Sequence, residues 1–146
     1  MHILHSHSAF RIRMFRTPQW REEAGEEKQD LKQRTKQFAL RVIRLVESLP
    51  KNRTAEVIGN QLLRSGTSVG ANYRAAYRAK SKADFIAKMG TVEEETDESL
   101  YWMELLIEAG IVKQVLLEPL MQEANELLAI TVASITTARR GKRDAR

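Results

Sequence analysis

Between residues 30 and 138 the apolar positions recur at steps of three and four, the spacing of a single helix face. Leu31, Phe38 and Leu45 repeat every seven residues, and Thr35, Val42 and Leu49 form a second row beside them. These rows predict a first helix from Asp30, a suitable N-cap, to Leu49, ended by Pro50 and Asn52. Ile58, Leu62, Ser65, Val69, Asn72 and Ala76 predict a second helix starting near Thr54. Its stripe is made largely of small residues, with Gly66, Ser68, Gly70, Ala71, Ala75 and Ala76 in one stretch. Glycine inside a helix costs about 1 kcal/mol against alanine, and close approach of a neighbouring backbone offsets that cost. The alternative is a break at Ser65-Gly66, but the apolar period keeps its phase across the glycines and favours one helix. On that reading Gly70 is a close-packing position, where a leucine would be forced between helices.

Met89, Thr96 and Met103, beside Phe85, Val92, Ser99 and Leu106, predict a third helix from Lys82 to Ala109. Ser81 followed by Asp84 resembles a capping box, and Gly110 is the expected stop. A fourth helix is expected to start near Glu118, with Pro119 in the first turn. Its stripe is Leu120, Met121, Ala124, Leu127, Leu128, Thr131, Ile135 and Ala138. No two-residue alternation of useful length occurs, so no sheet is expected. Four long amphipathic helices with short connections predict an all-α fold, an antiparallel up-down-up-down four-helix bundle over 29–138.

Residues 1–28 carry no sustained period and end in a mixed-charge run, which reads as a flexible leader; Met14 is a plausible start. The apolar stretch Ile3 to Phe10 is interrupted by His5, Ser6, His7 and Ser8, and its arginines follow it. That is the wrong order for a secretory signal. No run reaches the ~18 apolar residues of a membrane span. A cytoplasmic protein with no membrane association is the expectation.

Composition narrows the chemistry. The 146 residues contain no cysteine, which excludes disulfides, thiolate metal sites and a cysteine nucleophile. The three histidines, His2, His5 and His7, all lie in the leader. They are more simply exposed tail residues than metal ligands, since a mobile segment offers no preorganised site. A di-iron bundle needs Glu-x-x-His pairs on facing helices, and a Ser-His-acid triad needs a histidine in the domain. No phosphate-cradling glycine loop with its lysine occurs. Glu93, Glu94, Glu95, Asp97 and Glu98 could hold a hard cation, but a solvated acidic face or arginine partners is the simpler reading. Neither catalysis nor a cofactor is expected.

The net charge of +5 is unevenly placed. Residues 1–80 hold 16 basic and 7 acidic side chains, whereas 81–146 hold 8 and 12. The third helix is strongly acidic, and 139–146 form a basic C-terminal tail.

The segment Gln61-Leu62-Leu63-Arg64-Ser65-Gly66-Thr67-Ser68-Val69-Gly70-Ala71-Asn72-Tyr73-Arg74-Ala75-Ala76 resembles the signature of the bacterial four helix bundle protein family. So do Arg78-Ala79-Lys80-Ser81-Lys82-Ala83-Asp84-Phe85-Ile86 and Glu94-Glu95-Thr96-Asp97-Glu98-Ser99-Leu100-Tyr101-Trp102-Met103-Glu104-Leu105-Leu106. The family includes proteins encoded in intervening sequences of large-subunit ribosomal RNA genes. It also resembles the accessory variability determinant of diversity-generating retroelements. The likeness covers about 30–138. It implies a ring-shaped homopentamer and, for some members, binding to nucleic acid or to a reverse transcriptase.

The basic residues carry the main functional signal. On the first helix Arg34, Arg41 and Arg44 are placed opposite the apolar stripe, with Lys32 and Lys36 flanking. On the second, Tyr73 and Tyr77, and beside them Arg74 and Arg78, are each one turn apart. Lys80 and Lys82 extend that patch, and Arg139 and Arg140 open the basic tail. Guanidinium forks grip phosphates, and tyrosine rings stack on unpaired bases. Basic helix faces are common, so the competing reading is pairing with the acidic third helix. Pairing is favoured for Arg74 and Arg78, and nucleic acid for Arg34, Arg41, Arg44 and the tail. Tyr101 and Leu105 form an apolar row off the core stripe and, with Trp102, suggest an oligomer interface; a wide core stripe that takes in Trp102 is the alternative. The sequence thus predicts an oligomeric accessory protein that binds RNA or DNA without catalysis. The alternative is a protein-interaction scaffold with no nucleic-acid contact.

Overall fold

The computed structural model describes the backbone of residues 28–144 and the side chains of 31–141. Met14, the three histidines and all but the last residue of the expected leader lie outside the described residues. Four helices form: α1 (Lys28–Glu47), α2 (Arg53–Tyr77), α3 (Lys82–Glu108) and α4 (Gln114–Asp144). Among the described residues there is no strand. Each helix packs against the next in sequence and α1 closes on α4, giving the up-down-up-down bundle; the α2–α3 pairing is the most extensive and α1–α4 the least.

The helix ends follow local chemistry. Asn52 does more than end the first helix. Its side chain accepts the Ala55 N–H at 2.9 Å and caps α2. Ser81 caps α3 in the same way through the Asp84 N–H, at 3.0 Å. The Asp84 carboxylate reaches back to the Lys80 N–H at 3.2 Å, one residue beyond the usual capping-box donor. Gly110 adopts φ 74°, and Ile111 N–H donates to Leu106 C=O while Gly110 N–H donates to Ile107 C=O. This Schellman turn needs the left-handed backbone that glycine supplies.

Two helix starts differ from expectation. Helix α1 begins at Lys28, so Asp30 lies inside it instead of at its cap. Helix α4 begins at Gln114, which makes Pro119 its sixth residue. The extra turn seats Leu117 in the core, fully buried and three residues ahead of buried Leu120. Proline there leaves the Val115 carbonyl without its helical donor, but Pro119 and Val115 are exposed and water can serve it. Helix α4 also continues to Asp144, so Arg139 and Arg140 sit on its last turns.

The core repeats the predicted stripes. All seven α3 positions read from the heptad rows are buried, as are Leu31, Thr35, Phe38 and Val42 of α1 and Leu49 just past its end. The buried hydroxyls are satisfied locally: Thr96 and Thr131 donate to the carbonyls four residues back, and Ser99 and Ser65 bond across α2 and α3 at 2.9 Å. Helix α2 is unbroken. Its tightest approach to α1 is at Gly66 instead of Gly70. A Cβ on Gly66 would lie 2.8 Å and 2.9 Å from the two γ-carbons of Val42, and one on Gly59 would meet Leu49 at 2.9 Å. At Gly70 the nearest atom, Thr35 Oγ1, is 3.3 Å away.

These contacts predict opposite effects for the same substitution. Gly66→Ala drives a methyl into buried, β-branched Val42 and should cost about 1–3 kcal/mol, despite the better helix propensity. Gly90 has nothing within 4 Å of its would-be Cβ, so Gly90→Ala should gain about 0.5–1 kcal/mol. Denaturant melts of the two variants check this.

Candidate nucleic-acid interface

The alternation of the helices brings four separated segments to one end of the bundle: the start of α1, the end of α2, the start of α3 and the end of α4. Lys32, Lys36, Arg74, Lys82, Arg139 and Arg140 sit on these segments, and Arg78 and Lys80 on the α2–α3 connection between them. All are exposed except half-buried Lys82. Among the described residues none has an ion-pair partner.

Arg34 and Arg41 are placed differently from expectation. On a helix of 3.6 residues per turn they share one flank of the α1 core stripe, while Lys32 and Lys36 lie on the other. Both arginines are half-buried, and only Arg44 is fully exposed. The Arg34 guanidinium donates to Glu123 from Nη2 and, at 3.4 Å, from Nε; Nη2 also donates to Glu126 at 2.8 Å. The Glu123 hydrogen bond leads in raising the Arg34 pKa above its ordinary value. Arg34 is therefore the tie between α1 and α4, the least extensive pairing in the bundle, and is held away from an outside phosphate. The acidic third helix does pair with an arginine, but that arginine is Arg64. It donates to Glu98 and, at 3.3 Å, to Glu95. Arg74 and Arg78, expected to serve α3, are left to solvent.

Tyr73 cannot stack on a base. It is 4% exposed, and burial, with a smaller contribution from Tyr77, pushes its phenol up to about 12. Tyr77 is half-buried. Tyr101 is 52% exposed. Trp102 packs on the core and donates from Nε1 to Glu98 at 3.1 Å, with its ring edge-on to Tyr101. Leu105 is half-buried. Of the three interface residues, only Tyr101 presents a fully open surface.

At the basic end, among the described residues, a groove of about 540 Å³ runs between α1 and α2. Its floor is Thr35 and Ala39 from α1 and Thr67, Gly70 and Ala71 from α2. Lys32 and Lys36 stand on one side and Arg74 on the other, with Gln33 beside the lysines. Among the described residues no carboxylate lines it. The sequence identifies Lys32 and Lys36 only as flanking residues and leaves out Gln33, Thr67 and the groove itself. The available signal is Ala39 on the α2 flank of α1, opposite the small residues of α2. Among the described residues no helix is long and apolar enough to cross a membrane.

The ion pairs carry two predictions. Arg34→Ala should destabilise the bundle by about 1 kcal/mol, lowering Tm by about 3–6 °C. Arg64 holds the Glu98 carboxyl below its ordinary value of 4.5, chiefly through their hydrogen bond. Stability from a lowered carboxylate pKa is present above the unfolded value and is lost as pH falls through the folded one. Arg64→Gln should therefore melt below wild type at neutral pH, and the gap should close as the pH falls below 4.5. A pH series of thermal melts on both proteins reads this.

The 23S rRNA-intervening sequence protein model matches residues 27–133, well over half of the chain. No curated protein matches it. A solved structure from Bacteroides thetaiotaomicron, a protein of unknown function from the S23 ribosomal protein family, superposes with a TM-score of 0.71 at 34% identity. The match covers 75% of this chain and 98% of that one. The region matched by the family model starts at the residue before α1 and runs well into α4, spanning every wall of the groove. On the extent of that match the chain belongs to the 23S rRNA-intervening sequence protein family.

Proposed function

We propose that this protein is an oligomeric, non-catalytic accessory protein that binds nucleic acid through its basic end. The observation that carries the reading is the pairing pattern. The half-buried acids Glu95, Glu98 and Glu123 hold Arg34 and Arg64, while the cations of the basic end keep their charge for an outside anion. Phosphate oxygens are the matching ligand, since guanidinium and ammonium groups neutralise them with little regard to base sequence. The family's link to ribosomal RNA intervening sequences supports RNA as one such ligand. A reverse transcriptase acting on the bound strand is the protein partner that the resemblance to retroelement accessory proteins implies.

Self-association rests on the opposite end. Val57 is 56% exposed, and Val115 and Leu116 are each 69% exposed. They lie near the α1–α2 and α3–α4 connections, and Tyr101 is two turns from the end of α3. Exposed apolar side chains at one end favour a partner surface, and the family resemblance makes that partner a ring of five copies. The scaffold reading uses this same end and leaves the basic one idle.

Salt separates the two readings. Wild type should bind both a duplex and an unpaired oligonucleotide, with log affinity falling linearly against log salt. Replacing Arg78, Arg139 and Arg140 with Gln should weaken both and flatten the duplex slope by roughly 0.9 for each phosphate no longer neutralised. Binding that is absent, or indifferent to salt, leaves the scaffold. Light scattering at micromolar concentration should show a species well above the 16.7 kDa of one chain; a stable monomer overturns the oligomer.

A further inference from the structure

We infer that the α1–α2 groove is a seat for the backbone of an unpaired nucleic-acid strand, an inference that rests on the nucleic-acid reading and adds strand selectivity to it. Three observations converge. Lys32 and Lys36 face Arg74 across a concave floor, and among the described residues none of the three has an ion-pair partner. Among the described residues no carboxylate lines the wall, and those that do line it offer an anion positive charge and neutral dipoles. The volume, about 540 Å³, falls in the range of roughly 300–1,000 Å³ typical of sites that enclose a small ligand.

The shape decides the kind of strand. Packed helix axes lie roughly 8–10 Å apart, and a rigid duplex is too wide to enter between them. A duplex can touch the rim cations only from outside. An unpaired strand can lay its sugar-phosphate chain on the floor, because Ala39, Gly70 and Ala71 offer no bulk there. Three cations from two helices then surround the phosphates.

Two neutral groups complete the seat. The Thr67 hydroxyl donates to the Leu63 carbonyl at 2.6 Å, so its oxygen is left to accept. Gln33, exposed on α1, carries an amide with both a donor and an acceptor. These groups suit a ribose hydroxyl and a base edge, adding the hydrogen-bond acceptors that the cations lack.

The test separates groove from charge. The probes are a fluorescein-labelled oligouridylate of about 20 nucleotides, enough to span a single-strand site, and an RNA duplex of the same length. Each is titrated by anisotropy across a salt series. Ala39→Leu with Ala71→Leu fills the floor without changing charge. Melting temperature and helical circular dichroism identify variants that fold as wild type does; Ala71→Leu alone, at an exposed position, replaces the pair if the double variant does not. Filling should lower affinity for the oligouridylate at least tenfold and leave duplex affinity within about twofold. Lys32→Gln with Lys36→Gln and Arg74→Gln should flatten the single-strand salt slope by about 2, at roughly 0.7 for each phosphate released. A charge-matched control, Lys51→Gln with Arg53→Gln and Lys113→Gln at the far end of the bundle, should leave the single-strand affinity within about twofold. If the filled variant binds the oligouridylate as wild type does, the groove is not the seat, although nucleic-acid binding stands. The groove is likewise excluded if the rim variant weakens both probes equally, or if the far-end control weakens binding as much as the rim variant. If wild type binds neither probe, the broader reading falls as well.

Discussion

Val42 can reach the α2 backbone only because residue 66 has no side chain. Its γ-carbons occupy the space that a Cβ would need, and Leu49 does the same at Gly59 one heptad away. The spacing of α1 and α2 is set by these contacts. With the helices held that close, the side chains further along decide whether the space between them is filled. Opposite Gly66 stands a valine; beyond it α1 offers Ala39 and then Thr35, and α2 offers Thr67, Gly70 and Ala71. The same small-residue stripe therefore gives tight packing over one stretch and an open groove over the next.

Electrostatics are arranged around this asymmetry. The half-buried glutamates Glu95, Glu98 and Glu123 each meet an arginine, so their charges are matched where water is partly excluded. Arg34 gains most from this, since it joins the least extensive of the four neighbouring helix pairings. The far end mixes Lys51, Arg53 and Lys113 with Glu56, Glu108 and Glu118, whereas the other end keeps Lys32, Lys36, Arg74, Arg78, Arg139 and Arg140 outside these pairs. Adjacent antiparallel helices largely cancel each other's macrodipoles, so the field at that end comes from side chains.

The helical faces were legible in the sequence because burial imposes a period, and the period survives single exceptions such as half-buried Leu45. Helix ends were legible where one residue decides them, as Ser81 and Gly110 do. They were misread where a tertiary contact outweighs a local rule: burial of Leu117 draws α4 back past Pro119. Side-chain partners were not legible. Whether Arg34 or Arg74 meets a carboxylate depends on the register of helices far apart in sequence, and helical spacing on α1 alone cannot show which flank faces α4. Tyr73 illustrates the same limit: its ring is buried in the core, and its spacing from Tyr77 does not show that. The groove was hidden because glycine and alanine read equally well as contact and as vacancy.

The gathering of basic side chains at one end, with Val57, Val115 and Leu116 exposed near the other, has a kinetic consequence. A polyanion exerts a torque on such a molecule before any contact forms, turning the basic end inward during approach. Encounters in the wrong orientation are thereby reduced, and the association rate rises above that of a uniformly charged particle of the same net charge, most strongly in dilute salt. The captured molecule also arrives with Val57, Val115 and Leu116 turned outward to the surrounding solution. On the proposed reading, binding at one end thus presents the other.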